Sequence, residues 1–161
     1  MKRFVIPLVV VALLAVFGVW WFSPTQVVKR RTQSLLATLT LDSGNGKVGR
    51  QMAVYSLNAL LAPRIELENP TINEASGSFE RPEMESAFSW LCEQAKQTRF
   101  KAEKIHSISV TGDKAQVHLT LTGLVELPTY RPADGKFDAT FDWEKEDDGW
   151  RLARASWREA K

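Results

Sequence analysis

The sequence predicts an α+β domain preceded by one transmembrane helix, and three observations lead to this prediction. An apolar run fills residues 4–22, directly after a basic leader at residues 1–3. Three helical patterns and one short strand pattern follow as far as Ala95, and four strand patterns fill almost all of the remainder. Helices grouped before hairpin-connected strands pack on one face of an antiparallel sheet. We therefore expect one domain at residues 23–161, with three helices on a curved, mainly antiparallel sheet.

The composition excludes several classes of protein. With 161 residues, 44% of them hydrophobic and 25% charged, the chain is a globular protein of one-domain size. Its formal charge of +2 comes entirely from Lys2 and Arg3, so the remainder is neutral and we expect no nucleic-acid partner. The single cysteine, Cys92, excludes an internal disulfide and a metal site built from cysteines.

The apolar run at residues 4–22 is predicted to be a signal anchor. As a helix it would reach roughly 28 Å, which nearly matches the ~30 Å hydrocarbon core of a bilayer. It is longer than the apolar part of a cleaved signal peptide, which is the alternative. Trp20 and Trp21 suit the membrane interface. We expect a single-pass protein of the cytoplasmic (inner) membrane, with its domain periplasmic or extracytoplasmic. The positive-inside rule does not decide this orientation by itself, because Lys2 and Arg3 precede the apolar run and Lys29-Arg30-Arg31 follow it.

Three helices are predicted after the anchor. The first begins at Ser23-Pro24, since proline suits the first turn of a helix, and the glycine-rich residues 42–46 end it. The second is predicted over residues 48–61, and the third carries a continuous apolar face. The positions expected to be buried are Met52, Tyr55 and Ala59 in the second helix, and Met84, Phe88, Leu91 and Ala95 in the third.

The remaining patterns predict strands. Ile65 and Leu67 alternate with glutamates, which is typical of a half-buried strand. Residues 71–82 are loop-like, with room for a short irregular strand. Four later strands are predicted at 103–111, 114–126, 136–146 and 150–158. Two-residue hairpin turns are predicted at Gly112-Asp113 and Asp148-Gly149.

The order and spacing of four segments resemble the nuclear transport factor 2-like superfamily, which includes SnoaL-like cyclases, ketosteroid isomerases and scytalone dehydratase. The resemblance covers about residues 25–158 and is carried by Ile65–Pro70, Glu85–Leu91, Thr111–Val117 and Gly149–Leu152. It implies a cone-shaped fold. Members with enzymatic function bind a small apolar ligand between the helices and the sheet, whereas others bind proteins, so the fold alone does not decide the function.

Strand register then predicts which side chains face this cone. A two-residue turn at Gly112-Asp113 places His106 on the helix-facing side and His118 on the opposite side, so the two histidines cannot share a metal ion. We therefore expect neither a metal nor a cofactor. The same count around Asp148-Gly149 pairs Trp143 with Arg154 and places a guanidinium inside the cone. A bulge would instead turn Arg154 to solvent.

The candidate cavity-lining residues are Tyr55, Trp90, His106, Trp143 and Arg154. A buried Arg154 needs a partner, which could be Trp143, a glutamate of the first strand, or an anionic group on a ligand. Tyr55 and Trp90 are equally compatible with ordinary packing. No aspartate or histidine–aspartate pair lies where the isomerases of this superfamily use one, so we expect no catalytic residue.

The opposite face of the sheet is the candidate interface. It is predicted to carry small residues beside an exposed tryptophan, which favours a homodimer or another protein partner. The alternative is a solvated face with the tryptophan covered by the C-terminal residues. The residues assigned to this interface are His118, Thr140, Ala153, Ala155 and Trp157.

Two functions follow from these expectations. The favoured hypothesis is a membrane-tethered, non-enzymatic binding or assembly domain, similar in architecture to the inner-membrane assembly factors of type IV secretion. Residues 4–22 would hold it in the membrane. The alternative is a SnoaL-like enzyme or carrier whose cone binds a small apolar or anionic ligand.

Overall fold

The computed structural model describes residues 2–69 and 76–160, with side chains from Val9 onward. These described residues form four helices and six strands. The helices are α1 Lys2–Trp21, α2 Pro24–Leu39, α3 Lys47–Asn58 and α4 Arg81–Gln94. The strands are β1 Leu61–Glu68, β2 Gly77–Glu80, β3 Gln97–Thr111, β4 Lys114–Glu126, β5 Ala133–Glu146 and β6 Gly149–Glu159. Strand β2 lies in the segment expected to be loop-like, and residues 71–75 of that segment lie outside the described residues.

The six strands form one mixed sheet in the order β2-β1-β6-β5-β4-β3. All neighbouring pairs are antiparallel except β1 and β6, which run parallel. The prediction of a mainly antiparallel sheet with helices on one face is therefore confirmed. The last strand, β6, lies inside the sheet because it is inserted between β1 and β5.

Helix α1 is apolar along its described length. Its large apolar side chains from Val9 to Phe22 are exposed by between 42% and 78%. Among the described residues, no single helix is long and apolar enough to cross a membrane. Val9–Trp21 and Pro24–Leu39 satisfy that test only as a pair, and they are bent by 57°.

The core lies between helices α2 to α4 and the sheet. Helix α2 contributes Val28, Thr32, Leu35 and Leu36, and the sheet contributes strand residues of which Trp143 is the largest that is fully buried. Thr32 is also fully buried and donates its hydroxyl proton to the Val28 carbonyl at 3.0 Å, which satisfies that donor.

Helix α3 buries a different face from the one predicted. Met52 and Tyr55 are 60% and 74% exposed, and Leu57 is the residue of α3 that is fully inside the core. The helix carries apolar residues on two sides, so periodicity alone does not select one. The selected side brings Arg50 to the end of α4, where its guanidinium donates to backbone carbonyls.

The hairpin that joins β5 and β6 turns one residue earlier than predicted. Glu146 pairs with Gly149, so the turn residues are Asp147 and Asp148. The register then shifts at Ala153, which has no partner in β5, and Arg154 lies opposite Asp142. Arg154 is therefore not opposite Trp143 and does not enter the core. The prediction that placed it in the cone was wrong because the bulge changes the face of every residue beyond it.

Strand β3 also contains bulges. The predicted turn at Gly112-Asp113 is confirmed, and His118, which lies opposite Ser107, is on the predicted face. Between Ser107 and Ile105 the register shifts, so that Ile105, not His106, lies opposite Leu119. His106 consequently leaves the helix-facing side. Gly112 has φ +59, the left-handed conformation that glycine adopts without strain at a hairpin turn.

Candidate functional site

The sheet presents a polar surface on the side away from the helices, which we call the outer sheet face. Its centre consists of the following side chains: Gln116, His118 and Thr120 on β4, Asp138, Thr140 and Asp142 on β5, Arg154, Ser156 and Arg158 on β6, and Glu66 and Glu68 on β1. Acidic side chains alternate with arginines and hydroxyl groups across the strands. The bulged residue His106 of β3 joins them.

A chain of three side chains begins at His106. Its Nε2 lies 2.7 Å from Thr120 Oγ1, and that hydroxyl donates to Asp138 Oδ1 at 2.8 Å. Because the hydroxyl proton goes to the carboxylate, the Thr120 oxygen accepts from His106, whose Nε2 must carry a proton. The hydroxyl is not activated as a nucleophile, because its proton is directed to a carboxylate and not to an imidazole nitrogen.

A second chain begins at Thr140. Its hydroxyl lies 3.0 Å from His118 Nδ1, and His118 Nε2 lies 2.8 Å from Gln116 Oε1. The Gln116 amide nitrogen donates to Asp142 Oδ1 at 2.8 Å, which fixes the orientation of the amide. His118 therefore donates from Nε2, and in a neutral ring its Nδ1 accepts from Thr140.

A shallow depression of about 640 Å³ lies over the middle of the outer sheet face. It is lined by both histidines and by the hydroxyl groups of Thr120, Thr140 and Ser156. Charged groups at its rim come from Glu68, Asp138 and Arg158. Its lining of hydrogen-bond donors, acceptors and charges of both signs suits a polar partner surface.

A neighbouring depression of about 600 Å³ contains Arg154. The guanidinium forms an ion pair with Glu68, and the hydrogen bond from this pair raises the pKa of Arg154 above its usual value. Glu66 and Asp142 line the same depression and reinforce the positive charge. Arg154 is about half exposed, so this is a surface pair and not a buried one.

Comparisons with known proteins agree on the fold. A domain of the nuclear transport factor 2-like superfamily from Salmonella enterica serovar Typhimurium superposes with a TM-score of 0.66 at 13% identity, over 86% of this chain and 93% of that one. A protein provisionally named a dehydratase of the same family, from Streptomyces avermitilis, gives 0.63 at 16% identity, over 85% and 96%. The CaMKII hub of S. rosetta gives 0.63 at 14%, over 86% and 98%.

The domain has the nuclear transport factor 2-like fold. The sequence matches no known family profile. It also has no match among curated proteins. The likeness is therefore one of structure, which establishes the architecture and leaves the function to the site.

The interior of the nuclear transport factor 2-like cone holds one of the five candidate cavity residues. Trp143 is fully buried there, and its Nε1 has no hydrogen-bond partner among the described residues. Tyr55 and Trp90 lie on exposed helix surfaces, with 74% and 56% exposure. His106 and Arg154 lie at the outer sheet face. The five residues predicted to line the cone are thus divided among three places.

The candidate interface is also divided by the bulge at Ala153. His118 and Thr140 lie on the outer sheet face as expected from alternation, and Ala153 borders the depression around Arg154. Ala155 pairs with Phe141 and Trp157 with Ala139, so both lie on the helix-facing side. Their expected positions were wrong, and the surface is charged and hydroxylated instead of flat and apolar.

Sequence reasoning did not assign Asp138 and Arg158, which help to define this surface, to the candidate interface. Alternation alone places Asp138 away from Phe141, so its position was available from the sequence. The bulge in β3 places His106 on this face, where Thr120 connects it to Asp138. Within residues 2–69 and 76–160, no group of three or more histidine, cysteine, aspartate or glutamate side chains could hold a metal ion.

Proposed function

We propose that this chain is a membrane-tethered, non-enzymatic binding or assembly domain that engages a protein partner through its outer sheet face. The proposal rests on one observation: the same chain combines an exposed apolar helix, α1, with a domain whose hydrogen-bonded histidines and charged groups lie together on the outer sheet face. His106 does not activate Thr120, because that hydroxyl directs its proton to Asp138, and this favours binding over catalysis at that position.

The tether is supported by the chemistry at the end of α1. Phe17, Trp20 and Trp21 form an aromatic cluster, in which the rings of Phe17 and Trp21 stack at 5.7 Å. The Arg30 guanidinium lies 4.4 Å from the Trp21 ring centroid and donates to the Trp21 carbonyl at 2.9 Å. Aromatic rings beside a cation are typical of the boundary between lipid and water. In this proposal the domain lies on the extracytoplasmic side of the cytoplasmic membrane.

Membrane attachment can be tested by extraction. The full chain should remain with the membrane pellet after an alkaline carbonate wash, because residues 4–22 would be surrounded by lipid. Leu13→Arg with Leu14→Arg should move it to the supernatant, since each arginine at the centre of a membrane helix costs about 2.5–3.5 kcal/mol. The matched control is Val48→Arg with Met52→Arg, which places two arginines on α3. If all three chains are extracted alike, there is no tether.

The side of the membrane needs a separate experiment. A reporter phosphatase that is active only outside the cytoplasm, fused after Lys161, should be active. A fusion that is well expressed but silent would place the domain in the cytoplasm, and it would leave the tether itself untouched.

Self-association is the simplest use of the outer sheet face. The face has four acidic side chains and two arginines around two histidines, so a two-fold axis can bring opposite charges together. The likeness to a CaMKII hub is consistent with this use, because a hub of the same fold suggests that assembly is possible for this architecture.

Photocrosslinking tests the partner. A photoreactive amino acid at Thr140, in the middle of the outer sheet face, should give a dimer or a defined adduct in membranes at native expression. The control position is Tyr130, which is exposed in the loop between β4 and β5. Equal yields at both positions, or no adduct at Thr140, would contradict the use of this face.

A second candidate function is a small-ligand carrier or SnoaL-like enzyme, and one atom favours it. Trp143 Nε1 is a buried donor that finds no acceptor within the described part of the chain, and an acceptor bound in the cone would satisfy it. Such a ligand should raise the unfolding temperature of the wild type and not of Trp143→Phe. If no polycyclic or anionic compound in a screen raises the unfolding temperature of the wild type or of Trp143→Phe, this second function is excluded.

A further inference from the structure

Helix α3 exposes an apolar stripe that the outer sheet face does not use. Val48, Met52 and Tyr55 follow one another at i, i+4 and i+7, and they are 74%, 60% and 74% exposed. The buried residue of this helix, Leu57, lies on the opposite side. Methionine and tyrosine are enriched in protein interfaces. Helix α3 is also basic, since its charged residues are Lys47 and Arg50.

Helix α4 lies beside α3 and presents a complementary face. Trp90 is 56% exposed and points away from the buried Phe88 and Cys92. The helix contains three glutamates and one arginine, so its charge is opposite to that of α3. Glu93 in its last turn is exposed, and neither Glu93 nor Lys47 has an ion-pair partner within the described part of the chain.

The two helices are antiparallel, and their relative position is fixed at both ends. Asn58 near the end of α3 donates to Glu85 Oε2 near the start of α4 at 2.7 Å. Arg50 near the start of α3 donates to the Cys92 carbonyl near the end of α4 at 2.5 Å. Between these ends, Met52 and Trp90 lie near the middle of the two-helix layer.

We propose that this α3–α4 layer is a second self-association surface, on which another copy of the chain docks with its α3 over α4. A two-fold axis parallel to the helices and between them produces this arrangement. It places the basic helix of each copy on the acidic helix of the other. It also places the amino-terminal end of α3, with Lys47, near the carboxy-terminal end of α4, with Glu93, which agrees with the helix dipoles.

The alternative axis is less favourable. Turning the second copy about an axis perpendicular to the helices would pair α3 with α3 and α4 with α4. That arrangement places helices of like charge together, whereas the first pairs opposite charges. Charge complementarity therefore selects the contact of α3 with α4.

The α3–α4 surface is small, so a membrane shared by the two copies is important for this contact. The surface consists of two helices of 12 and 14 residues, about 18 and 21 Å long, whereas a standard interface buries ~800 Å² per partner. A shared membrane raises the effective concentration of such modules and makes a weak contact effective. The docking does not depend on the outer sheet face, so an experiment that excludes one of the two surfaces does not exclude the other.

Cysteine crosslinking in membranes tests the arrangement with the full chain. Cys92→Ser provides the background, and two differently tagged copies carry Met52→Cys and Trp90→Cys. We expect crosslinks between copies that carry different tags and few between copies that carry the same tag. Met52→Cys copies that link only to each other would show α3 against α3, and a total absence of crosslinks would remove the interface. Ser43→Cys, in the exposed loop before α3, measures random collisions.

Charge reversal provides an independent test of the same contact. Lys47→Glu should lower the crosslinking yield by about fivefold, the upper range for an exposed ion pair. Glu93→Lys should do the same. Because the two changes exchange the signs of the pair, the double variant should recover most of the yield. Unchanged yields in both single variants, with normal unfolding temperatures, would contradict the proposed pairing.

Discussion

Arg50 of α3 donates from Nη1 to the carbonyl oxygen of Ala95, at 2.6 Å, immediately beyond the end of α4. The same guanidinium reaches the carbonyls of Cys92 and Lys96. One side chain therefore satisfies several of the carbonyls that every helix leaves without a partner at its end. This contact links the position of α3 to that of α4.

Removal of this guanidinium should destabilise the domain. Arg50→Ala leaves partly buried acceptors without donors, which costs about 1–3 kcal/mol of unfolding free energy. Arg50→Lys should recover only part of the loss, since an ammonium group cannot reproduce the planar fork of donors. Chemical unfolding of the full chain in detergent, followed by circular dichroism, measures both. The control is Gln51→Ala, an exposed neighbour, and an equal loss there would contradict this role.

A pH-dependent contribution is expected from the hairpin between β5 and β6. The buried Arg151 forms an ion pair with Asp148 and also donates to the Ala59 carbonyl after α3. The hydrogen bond from Arg151 lowers the pKa of Asp148 below its usual value. A lowered folded-state pKa stabilises the fold fully above the unfolded pKa of about 4, and the contribution is lost as the pH falls through the folded value.

Asp148→Asn should therefore lower the unfolding temperature at pH 7, and its difference from wild type should disappear in acid. Asp147→Asn is the matched control, because Asp147 occupies the same turn and has no ion pair among the described residues. A difference for Asp148→Asn that persists at the lowest pH would mean that the side chain acts by something other than its charge.

Arg154 should contribute little to stability. Its pairing with Glu68 is on the surface, where ion pairs contribute little to stability. Arg154→Ala, Glu68→Ala and the double variant form a cycle that isolates the coupling between them. A loss of stability in Arg154→Ala as large as that of a core substitution would mean that this side chain lies in the interior, where the uninterrupted register had placed it.

Both histidines should carry their proton on Nε2 when neutral. Thr120 accepts from His106, and the oriented amide of Gln116 accepts from His118. Nitrogen chemical shifts of the two imidazole rings at pH 8 would report the tautomers directly. Thr120→Val should release His106 from this tautomer and leave His118 unchanged. Finding either ring protonated on Nδ1 in the wild type would contradict the hydrogen-bond directions.

The sequence was sufficient for the order of elements and for the hairpin at Gly112-Asp113, because turn chemistry and alternation agree there. It was insufficient wherever a bulge occurs. Ile105 and Ile108 are three residues apart, as are Leu152 and Ala155, and an uninterrupted strand cannot place residues at odd spacing on one face. That odd spacing was a signal for the bulges at His106 and Ala153.

The error at α3 has a different cause. Both Tyr55 and Leu57 fall on apolar stripes with helical spacing, so the local pattern does not decide which stripe is buried. The decision depends on Arg50 and its acceptors in α4, about 45 residues away along the chain. A contact between distant segments is not visible in a local hydrophobic pattern.

The insertion of β6 between β1 and β5 also sets the order in which the domain can fold. Strands β1 and β2 can pair early, and β3 to β5 can form a meander, but each unit keeps an open edge until Gly149–Glu159 joins them. The parallel pairing of Glu66 with Arg154 closes a long loop, and such non-local contacts form slowly. Two incomplete sheet edges are meanwhile free to pair with other chains. Aggregation during folding should therefore respond most strongly to substitutions that delay docking of β6.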